Sequence, residues 1–457
     1  MSIYLLADLG STYTKLTAVD IKLEKIIGTS IAFTTVNTNI NDGFNHALNE
    51  LRQKIGKDVI FSKSIACSSA AGGLKMAASG LVEELTTEAA KRVCLGAGAK
   101  VELAFSHNLT TSEVNQILEG SIDIILLAGG TDGGNSKTVI HNAHKIAESN
   151  IDVPIIFAGN KDAAEEVENI LKTANKEYYI CENVMPKLNK LNIEDAKNKI
   201  QNIFINKIIY AKGIQLIEKQ IDGVIFPTPT AVLKAAELLS LGFAEESGLG
   251  DLVLVDIGGA TTDIYSMSDG LPKKLNTVVY GLEEPFAKRT VEGDLGMRYS
   301  ASGVLDALSN SEKAIIKKQF DLENEVALRH ENPEFLPVNE HDHLVETFIA
   351  KTCASTAFSR HVGTTKDIYT NFGIMSYQTG KDLTDVKYII GTGGVIINNK
   401  NPNEILNSLA ATPVHPFELR PIDAKYLLDK QYILSAMGLL STIEPEVALR
   451  IMKKHLL

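Results

Sequence analysis

The sequence predicts an α/β protein of two or more domains that uses one three-stranded meander twice, with a βαβ layer inserted in the first half. Three observations predict it. The stretch LLADLGSTYTK, from Leu5, is echoed by LVDIGGATTDI, from Leu254, each copy running from an apolar strand into a glycine turn. Between the copies, apolar strands alternate with amphipathic helices, the pattern of parallel βαβ units. At 457 residues the chain is also too long for one ordinary core.

Taken in order, Ile3–Asp8 reads as a strand, Gly10–Thr12 as a turn, and Lys15–Asp20 and Ile26–Thr34 as the strands completing an antiparallel meander. A helix follows, with Phe44, Ala47, Leu48, Leu51 and Ile55 on one face and Asn41 or Asp42 as its cap. Ser64–Cys67 is a strand leading into the Gly/Ala-rich CSSAAGGLKMAASGL. The strands of the inserted layer are then expected at Val101–Phe105, Ile122–Ala128, Val153–Ala158 and Glu177–Cys181, with a helix starting at Thr110 and Glu113 in capping-box register. Charged helices over 190–220 precede PTPTAVLKAAELLSL, an apolar helix capped by Thr228 or Thr230. The second meander is read as Leu252–Asp256, Asp263–Met267 and, after an Asp269-Gly270 turn, Leu275–Tyr280. YIIGTGGVI is a late strand ending in Gly391-Thr392-Gly393-Gly394, and two helices close the chain. The expected domains are 1–99, 100–225 and 226–457.

Composition narrows the function. A formal net charge of -11 argues against a general nucleic-acid binder. No run approaches the length of a membrane span, and no basic leader precedes the first strand, so a cytoplasmic protein is expected. The four cysteines, Cys67, Cys94, Cys181 and Cys353, form no CxxC pair and read as reduced core residues.

The repeated turn carries the chemistry. Backbone N–H groups in a tight glycine turn can hold phosphate, and small hydroxyl residues add donors without bulk. A carboxylate ending the preceding strand can face hydrated Mg²⁺ beside that phosphate. The first copy offers Asp8, Gly10, Ser11, Thr12, Thr14 and Lys15; the second offers Asp256, Gly258, Gly259, Thr261, Thr262 and Asp263. Asp8 and Asp256 are assigned to the metal. Lys15 either neutralises phosphate charge or faces outward, and Asp263 either orders water or closes its turn. Gly391, Thr392, Gly393 and Gly394 would let a strand end lie flat against the nucleoside.

These motifs, in the order DxGS, DxGG, GxGG, resemble the phosphate 1, phosphate 2 and adenosine loops of the superfamily of actin, Hsp70 chaperones, sugar kinases and acetate kinase. The resemblance implies an actin-like ATPase fold: two hinged RNase H-like domains around a nucleotide cleft holding ATP or ADP with Mg²⁺. CSSAAGGLKMAASGL, LLAGGTDGGN, LVDIGGATTDIYS, RTVEGDLGMRYSA and PFELRP…LLDKQYILSAMGLL are more specific. They resemble the accessory proteins of methylaspartate (glutamate) mutase, the GlmL/MutL family. That resemblance implies a chaperone-like ATPase that reactivates an adenosylcobalamin-dependent mutase, glutamate mutase or a related aminomutase, by ATP-linked domain motion. The chain lacks Asp-x-His-x-x-Gly, the base-off cobalamin motif, so it would act on a partner carrying the cofactor. Two other readings use the same clamp, a small-molecule kinase of the acetate or sugar kinase type and an actin-like nucleotide-gated scaffold.

Other clusters stay open at this point. Gly129–Gly134 is either a close-packed βα turn or a ligand loop. Glu292, Asp294 and Arg298 in EGDLGMR read as a salt-bridged cap or as a group acting in catalysis or domain closure. His341-Asp342-His343 and His141-x-x-His144 have no third metal ligand in register.

Overall fold

The computed structural model describes residues 2–10, 12–35, 40–69, 74–209, 221–371 and 373–457. The chain divides into two compact units: Met1–Val232 with Gly281–Glu283 and Ser435–Ile443, and Leu233–Tyr280 with Glu284–Leu434 and Glu444–Leu457.

The first unit holds two five-stranded sheets. In one, Ile3–Leu9, Tyr13–Asp20 and Lys25–Phe33 form the antiparallel meander, and Lys63–Ser68 and then Val224–Pro227 add in parallel on the other side of Ile3–Leu9. Its last strand therefore arrives from far along the chain.

The other sheet is wholly parallel, in the order Lys100–Ser106, Lys75–Gly80, Ile124–Leu127, Ile155–Phe157, Tyr178–Ile180. This is a doubly wound arrangement, whose central strands Ile124–Leu127 and Ile155–Phe157 are buried on both faces and so read as continuous apolar runs. Met76, Ala78 and Leu126 enter the core shared with the meander, whereas Ala77, Ile125 and Leu127 face the helices of the opposite layer. The expected layer lacked Lys75–Gly80, whose small residues look like loop until neighbours on both sides bury them. The helix Thr111–Glu119 starts as expected, with Thr110 and Glu113 forming a reciprocal capping box.

The second unit repeats the meander sheet in the order Ala287–Glu292, Thr262–Met267, Leu252–Ile257, Tyr388–Thr392, Lys425–Leu428. Strand order and direction match the first unit position by position. The two sheets are thus the duplicated RNase H-like sheets of an actin-like fold. One expectation is corrected here. The third strand of this meander is Ala287–Glu292, while Thr277–Tyr280 pairs with Gly373–Thr379 in a separate three-stranded sheet with Thr364–Thr370. The choice falls to Ala287–Glu292 because Arg289 enters next to Tyr265 and can be neutralised there. The helix Glu340–His361, capped by Asn339 with Asp342, lays Val345, Ile349, Cys353 and Ala357 against this sheet.

One buried cation stands out in the second unit. Lys381 is fully buried, donating from Nζ to the carbonyls of Phe286 (2.6 Å) and Ser266 (3.2 Å). Its stem passes so close to Gly270 that a Cβ there would lie 2.5 Å from Lys381 Cγ. Burial, aided by nearby Lys288, depresses its pKa to about 7, against the opposite pull of Glu284, Asp251 and Asp269. The folded chain then releases this proton near neutrality while the unfolded chain keeps it to the ordinary lysine range, so between those limits stability rises with pH. Replacing Lys381 with Met is expected to flatten the rise in urea midpoint between roughly pH 7 and 10, the window set by that depression. Equal slopes for the two proteins would contradict the assignment.

Candidate functional site

The two glycine elbows share one construction. In the first, the amide of Gly10 donates to the carbonyl of Tyr13 at 3.1 Å; in the second, the amide of Gly258 donates to the carbonyl of Thr261 at 2.9 Å. The registers match as well: Asp8 stands opposite Lys15 and Leu9 opposite Thr14, just as Asp256 stands opposite Asp263 and Ile257 opposite Thr262. On the other flank Asp8 neighbours Cys67 and Asp256 neighbours Thr392. The echo in the sequence is therefore one hairpin built twice.

In the first unit Asp8 is 3% exposed, so its carboxylate must find partners inside the protein. Oδ1 accepts the Thr228 hydroxyl at 2.7 Å, with the Cys67 thiol at 3.7 Å. Oδ2 accepts the Ser435 hydroxyl at 2.9 Å and lies 3.8 Å from the Lys15 ammonium. Lys15 thus faces the carboxylate from the neighbouring strand. Burial pushes the Cys67 thiol well above its ordinary pKa, and the Asp8 charge adds to that. Gly10 is demanded by the turn itself, since a Cβ would lie 2.5 Å from the Tyr13 carbonyl. Thr14 is buried, its hydroxyl paired with that of Thr34 at 2.9 Å, and Thr12 accepts the Thr34 amide on its carbonyl. Ser11 lies outside the described residues.

In the second unit Asp263 sits in an ion pair. Arg289 donates to Oδ1 from Nε at 2.8 Å and Nη2 lies 2.6 Å from that oxygen, while the Thr261 hydroxyl reaches Oδ2 at 3.1 Å. Asp263 therefore closes its turn and neutralises a buried arginine. Burial works most strongly against the Arg289 charge, but Asp263 and Tyr265 together offset it and the guanidinium pKa ends up raised. Burial, then Asp263, drives the pKa of the neighbouring Tyr265 well above its usual range. Thr262 is buried and donates to the Leu295 carbonyl at 3.0 Å.

The GTGG segment packs against Asp256. Gly393 has φ +95°, and a Cβ there would lie 2.5 Å from the Ile257 carbonyl and 2.9 Å from Asp256 Oδ1. Gly391 is forced by Ile396 and Leu406, each 2.8 Å from a Cβ at that position. Thr392 donates to Asp429 Oδ2 at 3.2 Å, and Asp429 also accepts the amides of Ile433 and Leu434. Gly394 opens the short helix Gly394–Ile397, near the Tyr432 hydroxyl. Asp429 follows the fifth strand of its sheet as Thr228 follows the fifth strand of the other; Thr228 reaches Asp8 itself, whereas Asp429 holds Thr392, the neighbour of Asp256.

Thr228, Ser435, Cys67 and Asp429 were not read as site residues. By sequence Thr228 reads as a cap and Cys67 as a core residue; the strand–Thr and strand–Asp junctions in FPTP and YLLD are the signal that hints at the roles of Thr228 and Asp429. Elsewhere, Gly129–Gly134 is clasped by asparagines: Asn183 donates to the Gly130 carbonyl and Asn160 to that of Gly134. EGDLGMR is split, with Glu292 and Asp294 on Arg360 and Arg298 on Glu346. Among the described residues no three His, Cys, Asp or Glu side chains gather to hold a metal directly, and no helix is long and apolar enough to cross a membrane.

The family model of MutL protein matches residues 4–456. The chain belongs to the MutL protein family. A relative from that family, Protein MutL of Clostridium tetanomorphum, is 50% identical over 459 positions, covering 100% of this chain and 99% of its own length. Among solved structures, ligand-bound xylulose kinase of Lactobacillus acidophilus is 11% identical at TM-score 0.36, covering 99% of this chain and 92% of its own. Component A of (R)-2-hydroxyglutaryl-CoA dehydratase from Acidaminococcus fermentans is 10% identical at TM-score 0.30, covering 100% and 99%.

In this MutL family member, replacing Thr228 with Val keeps the shape of the side chain but removes the hydroxyl donor to Oδ1 of a buried carboxylate, where the weaker Cys67 thiol remains. The expected loss is about 1–3 kcal/mol of unfolding free energy, read from denaturant midpoints. A loss within error of zero would show that Asp8 is satisfied without it.

Proposed function

We propose that the chain is an ATP-dependent accessory factor that reactivates or maintains an adenosylcobalamin-dependent mutase, glutamate mutase or a related aminomutase. The observation that carries the nucleotide part is the identical hairpin register of the two elbows, each with a carboxylate at the end of a central strand. Membership of the MutL family supports the mutase part.

The residues suit a nucleotide with Mg²⁺. Each elbow offers a single hard oxygen ligand, flanked by hydroxyl groups and backbone amides, a donor set for a hydrated magnesium ion rather than for a metal caged by protein. Asp8 and Asp256 would hold the ion through its water, and the ion would offset phosphate charge. The amides of Gly259, Ala260 and Thr261 would receive phosphate oxygens, as would those after Gly10, with Lys15 adding positive charge. Gly391, Thr392, Gly393 and Gly394 would face the nucleoside. Thr228 and Ser435 hold Asp8 in one orientation. A change in what Asp8 binds therefore reaches the helices that carry them, and this is how nucleotide turnover would be converted into motion.

The test mixes the chain, ATP, Mg²⁺ and a cobalamin-inactivated glutamate mutase, and follows recovered mutase activity beside phosphate release. Recovery is expected to need ATP, and Asp8→Asn and Asp256→Asn are each expected to slow hydrolysis by about 10²-fold. Absence of recovery together with a phosphorylated small acceptor would replace this reading with a kinase. ATP-driven polymerisation without recovery would replace it with a scaffold.

A further inference from the structure

The second elbow is held from behind by the segment after Glu292. Met297 donates its amide to the Gly258 carbonyl at 3.0 Å, and Arg298 donates its amide to the Gly259 carbonyl at 2.8 Å. Gly296 makes this approach possible, because a Cβ there would lie 2.7 Å from the Gly259 carbonyl oxygen. A trans peptide is planar, with its C=O and N–H on opposite sides. Tying the Gly258 carbonyl to Met297 therefore turns the Gly259 N–H the other way, and tying the Gly259 carbonyl to Arg298 does the same for Ala260. The direction of two elbow amides is set by where residues 297 and 298 sit.

The side chain of Arg298 anchors that segment. Its Nη2 donates to the Phe335 carbonyl at 2.8 Å and its Nη1 to the Met297 carbonyl at 2.7 Å, with Glu346 Oε1 at 3.2 Å from Nη1. Glu346 is buried on the helix Glu340–His361 and accepts on the same Oε1 from Nε of Arg329 at 2.7 Å. Arg329 is 0% exposed and continues to Glu325 Oε2 at 2.6 Å, whose other oxygen meets His341 Nε2 at 2.7 Å. Glu346 is thus the one carboxylate shared by both guanidinium groups in this array. Without it, Arg298 would lose its carboxylate partner and the buried Arg329 would keep Glu325 alone in this array. His341, paired with Glu325, and Asp342, in the helix cap, are used here rather than in a metal site.

We propose that Glu346 is a positioning residue for nucleotide binding: by holding Arg298 it fixes the backbone that aims the Gly259 and Ala260 amides at phosphate. The inference rests on the nucleotide reading above. It singles out the phosphates, since the hydrogen bonds and ion pairs of Arg298, Glu346, Arg329 and Glu325 run to one another and to the segments at 297, 335 and 341, and not to the GTGG segment assigned to the nucleoside.

The test measures dissociation constants for ATP and for adenosine by calorimetry in the full chain, in Glu346→Gln and in Arg298→Lys. Arg298→Lys keeps the backbone bond to Gly259 and removes only the guanidinium fork, so it carries the test if Glu346→Gln folds poorly. ATP is expected to bind about tenfold more weakly to each variant, the scale of a lost hydrogen bond to a charged group, with adenosine affinity unchanged. Parallel weakening of ATP and adenosine would reduce Glu346 to a general structural role and overturn the inference. Unaltered ATP affinity in both variants overturns it alone. Failure of the unaltered chain to bind ATP overturns the nucleotide reading, and this inference falls with it.

Discussion

A carboxylate buried at the end of a central strand is intolerable without donors, and this constraint organises the first sheet. Asp8 meets it with groups from four places: Lys15 on the next strand, Cys67 on the strand behind, Thr228 after the fifth strand and Ser435 near the end of the chain. The second sheet sets different residues around the half-buried Asp256. Thr392 takes the place of Cys67 beside Asp256, Asp429 takes the place of Thr228, and Asp263 takes the place of Lys15 but is drawn to Arg289. One architecture therefore presents a cation opposite its carboxylate in one copy and an anion opposite its carboxylate in the other.

The glycines divide along a related line. Gly10, Gly391 and Gly393 are forced by the protein's own backbone and side chains. Gly259 is under no such pressure, its nearest potential contacts being the Arg298 and Tyr299 side chains at 3.7 Å. The elbow's shape is thus an internal requirement of the hairpin, and its amides are what remains for a ligand. Rigidity comes from the layer behind it, where Gly296 permits backbone contact and an alternating series of arginines and glutamates holds that contact in place.

Local features were legible in the sequence. The duplicated hairpin, the capping box at Thr110 and the parallel strands of the inserted layer follow from nearest-neighbour chemistry and periodicity. What was not legible depends on distant partners. Lys75–Gly80 looks like a flexible Gly/Ala stretch because small residues suit either a loop or a strand covered on both faces. Thr277–Tyr280 reads as the third strand of the meander because it follows the Asp269-Gly270 turn, whereas Ala287–Glu292 takes that place with its Arg289 paired to Asp263. Thr228 reads as a helix cap because that role needs only its immediate sequence, whereas its bond to Asp8 spans more than two hundred residues. Glu346 carries no motif, and a glutamate on a long helix ordinarily faces water.

Ser435 gives the first unit an unusual dependence on synthesis order. The meander strands emerge from the ribosome early, yet the fifth strand Val224–Pro227 and the hydroxyl on Oδ2 of Asp8 are translated late. Until then the nascent amino-terminal sheet has a vacant parallel edge and a carboxylate lacking its full complement of donors. Such non-local closure raises contact order and slows folding. The carboxylate of the first elbow is thus completed by the helix Leu434–Leu440, whose Ser435 lies 427 positions further along the chain.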